Sequence, residues 1–335
     1  MSVPSFSRPA VLLARAVHPE VIQALQAHFE VESNPEDTVW SRAELMQRLA
    51  GKAGAFITGS ERIDAEVLDA HPGLRAVCNM AVGFNNIDLD ACTARGVLAS
   101  NTPDVLTETT ADFGFALMMA AARRMAESEH ALRRGEWTKW RYDLFCGSDV
   151  HGATLGILGM GRIGQAIARR GALGFGMKVI YHNRSRLDPA LEAPLGARHV
   201  DKATLLRESD HLVLVLPYSP AAHHIIGEAE LAQMKPGATL TNVARGGIVD
   251  DAALARALRQ GRIAAAALDV FEGEPAVHPD LLQVPNVVLT PHIASASHAT
   301  RRAMADLAAA NLIAALTGGT PPTPLNPQVL PLRHG

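Results

Sequence analysis

The stretch TLGILGMGRIG, from Thr154 to Gly164, decides the fold. Its first half, Leu155 to Leu158, is a short apolar run of the kind that forms a fully buried strand. Its second half sets Gly159, Gly161 and Gly164 in a G-x-G-x-x-G spacing. Gly159 permits a tight turn, Gly161 lets the backbone approach a pyrophosphate, and Gly164 lets the following helix sit close to the strand. That helix, opened by Arg162 and Ile163, carries Ala166 and Ile167 on the face of Ile163, so its free N–H groups can receive a diphosphate. The spacing alone also suits a glycine-rich turn in any α/β protein; the flanking sequence has to discriminate.

Downstream, apolar runs recur at Leu155–Leu158, Val179–Tyr181, Leu212–Leu216, Thr239–Val243, Ala264–Leu268 and Val287–Leu289, with helical segments such as Ala229–Met234 and Asp251–Gln260 between several of them. This predicts a doubly wound parallel sheet. Upstream, Val11–Ala14, Ala55–Thr58, Leu74–Asn79 and Val97–Ser100 alternate with helical patterns at Pro19–His28, Ala65–Ala70 and Leu89–Arg95, which predicts a smaller parallel sheet with helices on its faces. Thr102-Pro103 reads as a helix start, with Thr102 as N-cap. The helix it opens is apolar from about Ala111 to Ala122 and so is expected to pack in a subunit interface or between domains. Ser297–Leu316 reads as a last amphipathic helix, followed by an extended proline-rich tail.

The 335 residues, 48% of them hydrophobic, suit two domains better than one core. No apolar run approaches the ~18 residues of a membrane span, and Met1 to Pro19 lacks the regions of a signal peptide, so a cytoplasmic protein is expected. A formal net charge of -3, with scattered cations, offers no footprint for nucleic acid or an anionic membrane, and neither partner is expected. Cys78, Cys92 and Cys146 have no C-x-x-C spacing and read as reduced structural thiols. Among the 14 histidines, His223-His224 is adjacent in a turn and no H-E-x-x-H or Cys/His cluster appears, so no metal is expected.

In open parallel sheets, ligands bind outside the carboxyl ends of the strands. The residues that follow the runs are therefore the informative ones: the glycine loop, then His182 to Arg186, Pro217-Tyr218-Ser219, Arg245-Gly246-Gly247, Asp269 to Pro275, and Pro291 to Ser295. Arg, Glu and His converge on one edge. An acidic residue about 20 positions beyond the glycine loop would grip the ribose 2′-hydroxyl of NAD and repel a 2′-phosphate. Asn183, Arg184, Ser185 and Arg186 stand there instead, which suits a 2′-phosphate and predicts NADPH in preference to NADH, with NADH also accepted.

The motifs NMAVGFNNID, TPDVLTETTAD, GMGRIGQAIARR, NVARGGIVDDAAL, ALDVFEGEP and LTPHIASAS, in this order along the chain, resemble those of the D-isomer-specific 2-hydroxyacid dehydrogenases. Within that family the chain is most similar to bacterial glyoxylate/hydroxypyruvate reductases, which also reduce 2-ketogluconate. The resemblance implies an α/β fold of two Rossmann-like lobes. A doubly wound dinucleotide-binding domain, residues 102–290, would be inserted in a smaller flavodoxin-like substrate domain, residues 1–101 and 291–335. It implies NAD(P)H-dependent reduction of small 2-keto acids, glyoxylate and hydroxypyruvate among them, to D-2-hydroxy acids by a homodimer. D-lactate or phosphoglycerate dehydrogenase remains open within the family. Of a different class, a dinucleotide-sensing corepressor-like protein shares the fold.

Arg245 could clamp a carboxylate bidentately and polarise the 2-keto oxygen. His292 could donate the proton that the nascent alkoxide needs. The resemblance places Glu274, rather than nearby Glu272, against the imidazole of His292, where a carboxylate orients the ring. It further implies carboxylate contacts from the amides of Val82 and Gly83, a reach of Trp140 into the partner subunit's site, and cofactor contacts at Thr110, Leu216, Pro217, Val243, Ala244 and Asp269 as well as along the glycine loop.

Overall fold

The computed structural model describes residues 8–330. The chain divides into two compact units: one runs up to Leu106 and resumes at Ser297, and the other is the continuous stretch Thr107–Ala296.

The smaller unit is built on five parallel strands, β1 (Ala10–Leu13), β2 (Glu30–Glu32), β3 (Gly54–Ile57), β4 (Ala76–Asn79) and β5 (Leu98–Ser100), in the order β2-β1-β3-β4-β5. This is the flavodoxin-like order. Its central strands are buried along their whole length, as expected for a sheet covered on both faces. One cover is the helix His298–Thr317, N-capped by Ser297, whose Met304, Ala305, Ala308, Leu312 and Leu316 are buried. Fit decides its position: an added Cβ at Gly54 would stand 2.8 Å from the Cδ1 atoms of Leu312 and Leu316.

The larger unit holds β6 (Thr154–Leu158), β7 (Lys178–His182), β8 (Arg198–His199), β9 (His211–Leu214), β10 (Thr239–Asn242), β11 (Ala265–Leu268) and β12 (Val287–Leu289). They form one parallel seven-stranded sheet in the order β12-β11-β10-β9-β6-β7-β8. The order in which successive strands are added reverses between β6 and β9, the switch point at which doubly wound sheets open a ligand crevice. The glycine loop follows β6 there.

Several sequence expectations change. The short strands β2 and β8 were not anticipated; both are edge strands, and Glu30, Glu32, Arg198 and His199 give them no apolar run. The helix expected from Thr102 begins at Thr107. Thr102 instead lies in the irregular chain after β5, its amide donating to the Ala81 carbonyl, and Asp104 has a left-handed φ of 69°. The apolar helix Thr107–Ala122 packs within its own unit against the helix Arg162–Arg169 and strands β10 and β11. The breaks between units fall at Leu106/Thr107 and Ala296/Ser297, so Pro291–Ala296 belongs with the larger unit rather than the smaller. Cys78 and Cys92 lie in the core, where burial pushes the Cys92 thiol up to about 12, whereas Cys146 is exposed.

Candidate active site

Glycine geometry shapes the nucleotide end of the larger unit. Gly159 takes φ +103°, and a Cβ on it would lie 2.6 Å from the Leu216 amide nitrogen where the chain leaves β9. A Cβ at Gly164 would meet the Gly159 carbonyl at 2.4 Å. At Gly161 a Cβ would meet no protein atom within 4 Å. Two of the glycines are thus required by the protein's own packing, and the third opens on a space that a diphosphate would fill. Gly161 is also the N-cap of the helix Arg162–Arg169 and has no side chain to accept from the first turn. The buried Thr110 hydroxyl has no partner among the described residues, an unmet polar group at a position the resemblance gives to the cofactor. Leu216 is half-buried and Pro217 exposed at the end of β9, whereas Val243 and Ala244 are buried beyond β10. These residues fit a dinucleotide.

After β7, Asn183 accepts from the Met160 amide through Oδ1 at 2.6 Å, so it closes the glycine loop. Arg186 is engaged: its Nε and Nη2 donate to Glu192, with Nη2 to Oε2 at 2.6 Å. Glu192 is almost fully enclosed and also accepts from the Tyr181 hydroxyl at 2.5 Å. The Arg186 guanidinium, then Tyr181, hold its carboxyl down to about 2. Arg186 is therefore partly committed to Glu192 although its side chain is exposed, and Arg184 and Ser185 are exposed beside it.

Arg245 follows β10 on a turn fastened by buried Asn242, whose Oδ1 accepts from the Ala244 amide at 3.0 Å and whose Nδ2 donates to the Arg245 carbonyl at 3.2 Å. Arg245 itself donates from Nη1 to the Ala244 carbonyl at 2.6 Å. Burial lowers its affinity for the proton and the charge of Glu274 opposes this, yet a guanidinium stays charged throughout the physiological range. A Cβ at Gly246 would fall 1.7 Å from the Phe271 carbonyl oxygen, so the turns after β10 and β11 are in direct backbone contact. On the second of these turns Glu274 accepts from the Phe271 amide through Oε1 at 2.8 Å. Its Oε2 lies 2.7 Å from His292 Nδ1. Burial raises the Glu274 carboxyl, but the hydrogen bond and charge of His292, the Phe271 amide and Arg245 outweigh it and hold the group below the usual carboxylate range. An ionised Glu274 keeps the proton on Nδ1 and fixes the imidazole's orientation.

His292 has a left-handed φ of 53°, rare for a side chain of this size. Asp269 holds it there. Its fully buried carboxylate accepts from Thr290 Oγ1 at 2.7 Å and from the amides of Ile293 and Ala294, each at 2.8 Å, while its carbonyl accepts from the His292 amide at 2.9 Å. Asp269, expected among the cofactor contacts, also shapes the histidine turn. Glu272 does not touch His292 but pairs with His224 Nε2 at 2.8 Å and lies 3.8 Å from His223 Nε2. The adjacent histidines, which the sequence left without a third ligand, do gather a carboxylate, from a residue far along the chain.

In the smaller unit, the Val82 carbonyl accepts from Asn101 Nδ2 and the Gly83 carbonyl from Asn79 Nδ2, each at 2.8 Å. Neither amide has an acceptor among the described residues. Trp140 is 77% exposed on a surface segment of the larger unit, together with Trp137 and Tyr142.

The fold and site define a dinucleotide-dependent oxidoreductase with an Arg, Glu, His set at the strand ends. Residues 115–294 match the family model described as D-isomer specific 2-hydroxyacid dehydrogenase, NAD binding domain. The chain is 48% identical over 330 residues to a glyoxylate reductase of Thermococcus onnurineus, covering 97% of this chain and 98% of the relative. A crystal structure of a Thermus thermophilus protein superposes with a TM-score of 0.86 at 41% identity, covering 94% and 99% of the two chains. An NADPH-dependent glyoxylate/hydroxypyruvate reductase of Sinorhizobium meliloti, solved with NADP and malonate, superposes with a TM-score of 0.84 at 36% identity, covering 96% and 98%. The chain belongs to the D-isomer-specific 2-hydroxyacid dehydrogenases. It is an oxidoreductase of that type, with an NAD(P)-binding Rossmann-like domain fused to a smaller substrate-binding domain. Its similarity extends to archaeal as well as bacterial enzymes.

Proposed function

We propose that the protein reduces small 2-keto acids, glyoxylate and hydroxypyruvate foremost and 2-ketogluconate as well, to D-2-hydroxy acids, using NADPH in preference to NADH. The observation that carries the reading is the 2.7 Å contact of Glu274 with His292 Nδ1 on a turn in backbone contact with that of Arg245. When bound, the reduced nicotinamide supplies the hydride to the keto carbon. Arg245 binds the substrate carboxylate and draws charge from the keto oxygen. His292, oriented through Nδ1 by Glu274, carries the transferable proton on Nε2 and delivers it to that oxygen. In the smaller unit, the amides of Val82 and Gly83 are suited to bind a carboxylate. Residues Thr110, Gly159, Gly161, Arg162, Ile163, Gly164, Leu216, Pro217, Val243 and Ala244 would hold the dinucleotide. Asn183, Arg184 and Ser185 carry the preference for a 2′-phosphate, since the stretch His182 to Arg186 holds no carboxylate to repel it.

A cytoplasmic homodimer fits this reading; among the described residues no helix is long and apolar enough to cross a membrane. Exposed Trp137, Trp140 and Tyr142 make an apolar surface suited to a second copy, where Trp140 would reach the partner's substrate. The test is a set of initial rates with NADPH and NADH against glyoxylate, hydroxypyruvate, 2-ketogluconate, pyruvate and 3-phosphohydroxypyruvate. Fast NADPH oxidation with glyoxylate or hydroxypyruvate is expected. Turnover confined to pyruvate or 3-phosphohydroxypyruvate would reassign the substrate, and tight dinucleotide binding without turnover on any of them would overturn the enzymatic reading.

A further inference from the structure

Outside the catalytic set, one cluster of metal-ligating side chains stands apart among the described residues. His223, His224 and Glu272 each offer one ligand atom, and the three atoms lie within 4.8 Å of one another. Neighbouring residues of an extended chain point to opposite sides, so two adjacent histidines do not ordinarily share a ligand. Here His224 adopts a left-handed φ of 48°, and the two rings stack with centroids 3.9 Å apart at 21°. Both Nε2 atoms thereby face one carboxylate, at 3.8 Å and 2.8 Å from separate oxygens of Glu272.

We propose that His223, His224 and Glu272 form a binding site for a borderline divalent cation of the zinc class. Two imidazoles and a carboxylate are a known three-ligand set for zinc, which binds such atoms at ~2.0–2.2 Å and takes solvent in its fourth position. Nitrogen donors select against magnesium and calcium, which take oxygen. The surroundings match what a ligating histidine requires. His223 Nδ1 lies 3.3 Å from the Tyr218 hydroxyl, an oxygen partner for the ring nitrogen that faces away from the cation. The amide of Glu272 donates to buried Asp251 at 3.2 Å, and that of His224 to the Gly247 carbonyl at 2.7 Å, so both backbones are anchored. His224 and Glu272 line an open cleft of about 410 Å³, which gives ions and water a route to the site. A bound cation would tie the turn after β9 to the turn that carries Glu274.

The test uses full-length protein carrying Cys146→Ser, which removes the exposed thiol, in competition with a chromogenic zinc chelator. One equivalent of zinc bound by this protein, and weakened by more than the ~10-fold that loss of even an outer partner costs when His224→Ala or Glu272→Gln is added, is the expected result. Cobalt in place of zinc should give the intense visible bands of a four-coordinate ion, absent from both variants. Failure of the parent to bind a stoichiometric equivalent, or binding that survives both substitutions, would overturn the proposal.

Discussion

At the scale of single residues, the chemistry rests on side chains whose freedom has been removed by neighbours. Replacing His292 by Ala should leave dinucleotide binding intact and lower turnover by ~10²–10⁴. Fluorescence titration with NADPH and single-turnover rates separate the two effects; near-normal turnover would take His292 out of the mechanism. Cofactor choice lies at Asn183 and Arg184, so the pair Asn183→Asp with Arg184→Ala should reverse the ratio of kcat/KM for NADPH over NADH. An unchanged ratio would move the preference elsewhere. Arg245 and His292 were singled out in the sequence because each follows a readable strand, whereas the strand-end rule reached only the stretch Asp269 to Pro275 and the family resemblance chose Glu274 over Glu272 within it. The engagement of Arg186 by Glu192 and of Asp269 by the histidine turn was not legible, since a residue's type does not tell which of several acceptors or donors takes it up. The gathering of Glu272 on His223 and His224 was hidden for a related reason: ligand motifs are read from short spacings, and this one is closed by the fold.

At the scale of elements, turns touch turns. Gly246→Ala would drive a methyl into the Phe271 carbonyl, 1.7 Å away, and must push apart the loops that present Arg245 and Glu274. A loss of turnover accompanied by a lower Tm is expected, and a variant of full activity would show that the contact is dispensable. The β7 edge offers a pH test. Glu192 is held at about 2, below its ordinary 4.5, so its ionised form stabilises the folded chain above about pH 4.5 and that contribution is lost as pH falls toward 2. Glu192→Gln should therefore lower Tm at pH 7, and the gap to the parent should narrow between about pH 5 and pH 3; a gap independent of pH would assign the effect to packing. Strands with apolar runs were found where periodicity puts them, and β2 and β8 were missed because Glu30-Val31-Glu32 and Arg198-His199 are too short and too polar to show a period. The Thr102-Pro103 signal misled for a local reason: it is a valid helix start, but Asp104, two residues on, takes a left-handed φ of 69° that a right-handed helix does not continue through.

At the scale of the molecule, the apolar surface around Trp137, Trp140 and Tyr142 remains to be covered, and a dimer is expected by sedimentation velocity at micromolar concentration. Trp140→Ser should raise KM for the keto acid or shift the dimer toward monomer; a parent that sediments as a monomer would remove the partner's tryptophan from the site. The two sheets also set an order of assembly. The larger unit is one uninterrupted stretch, so it can close on itself while the chain is still being made. The smaller unit cannot. Its sheet starts at Ala10, yet the surface that should receive Leu312 and Leu316 stays bare until the ribosome has passed them, because the covering helix ends only at Thr317. The first strands translated are therefore among the last to be sealed, and a nascent chain stalled before residue 298 would be the species that chaperones have to shield.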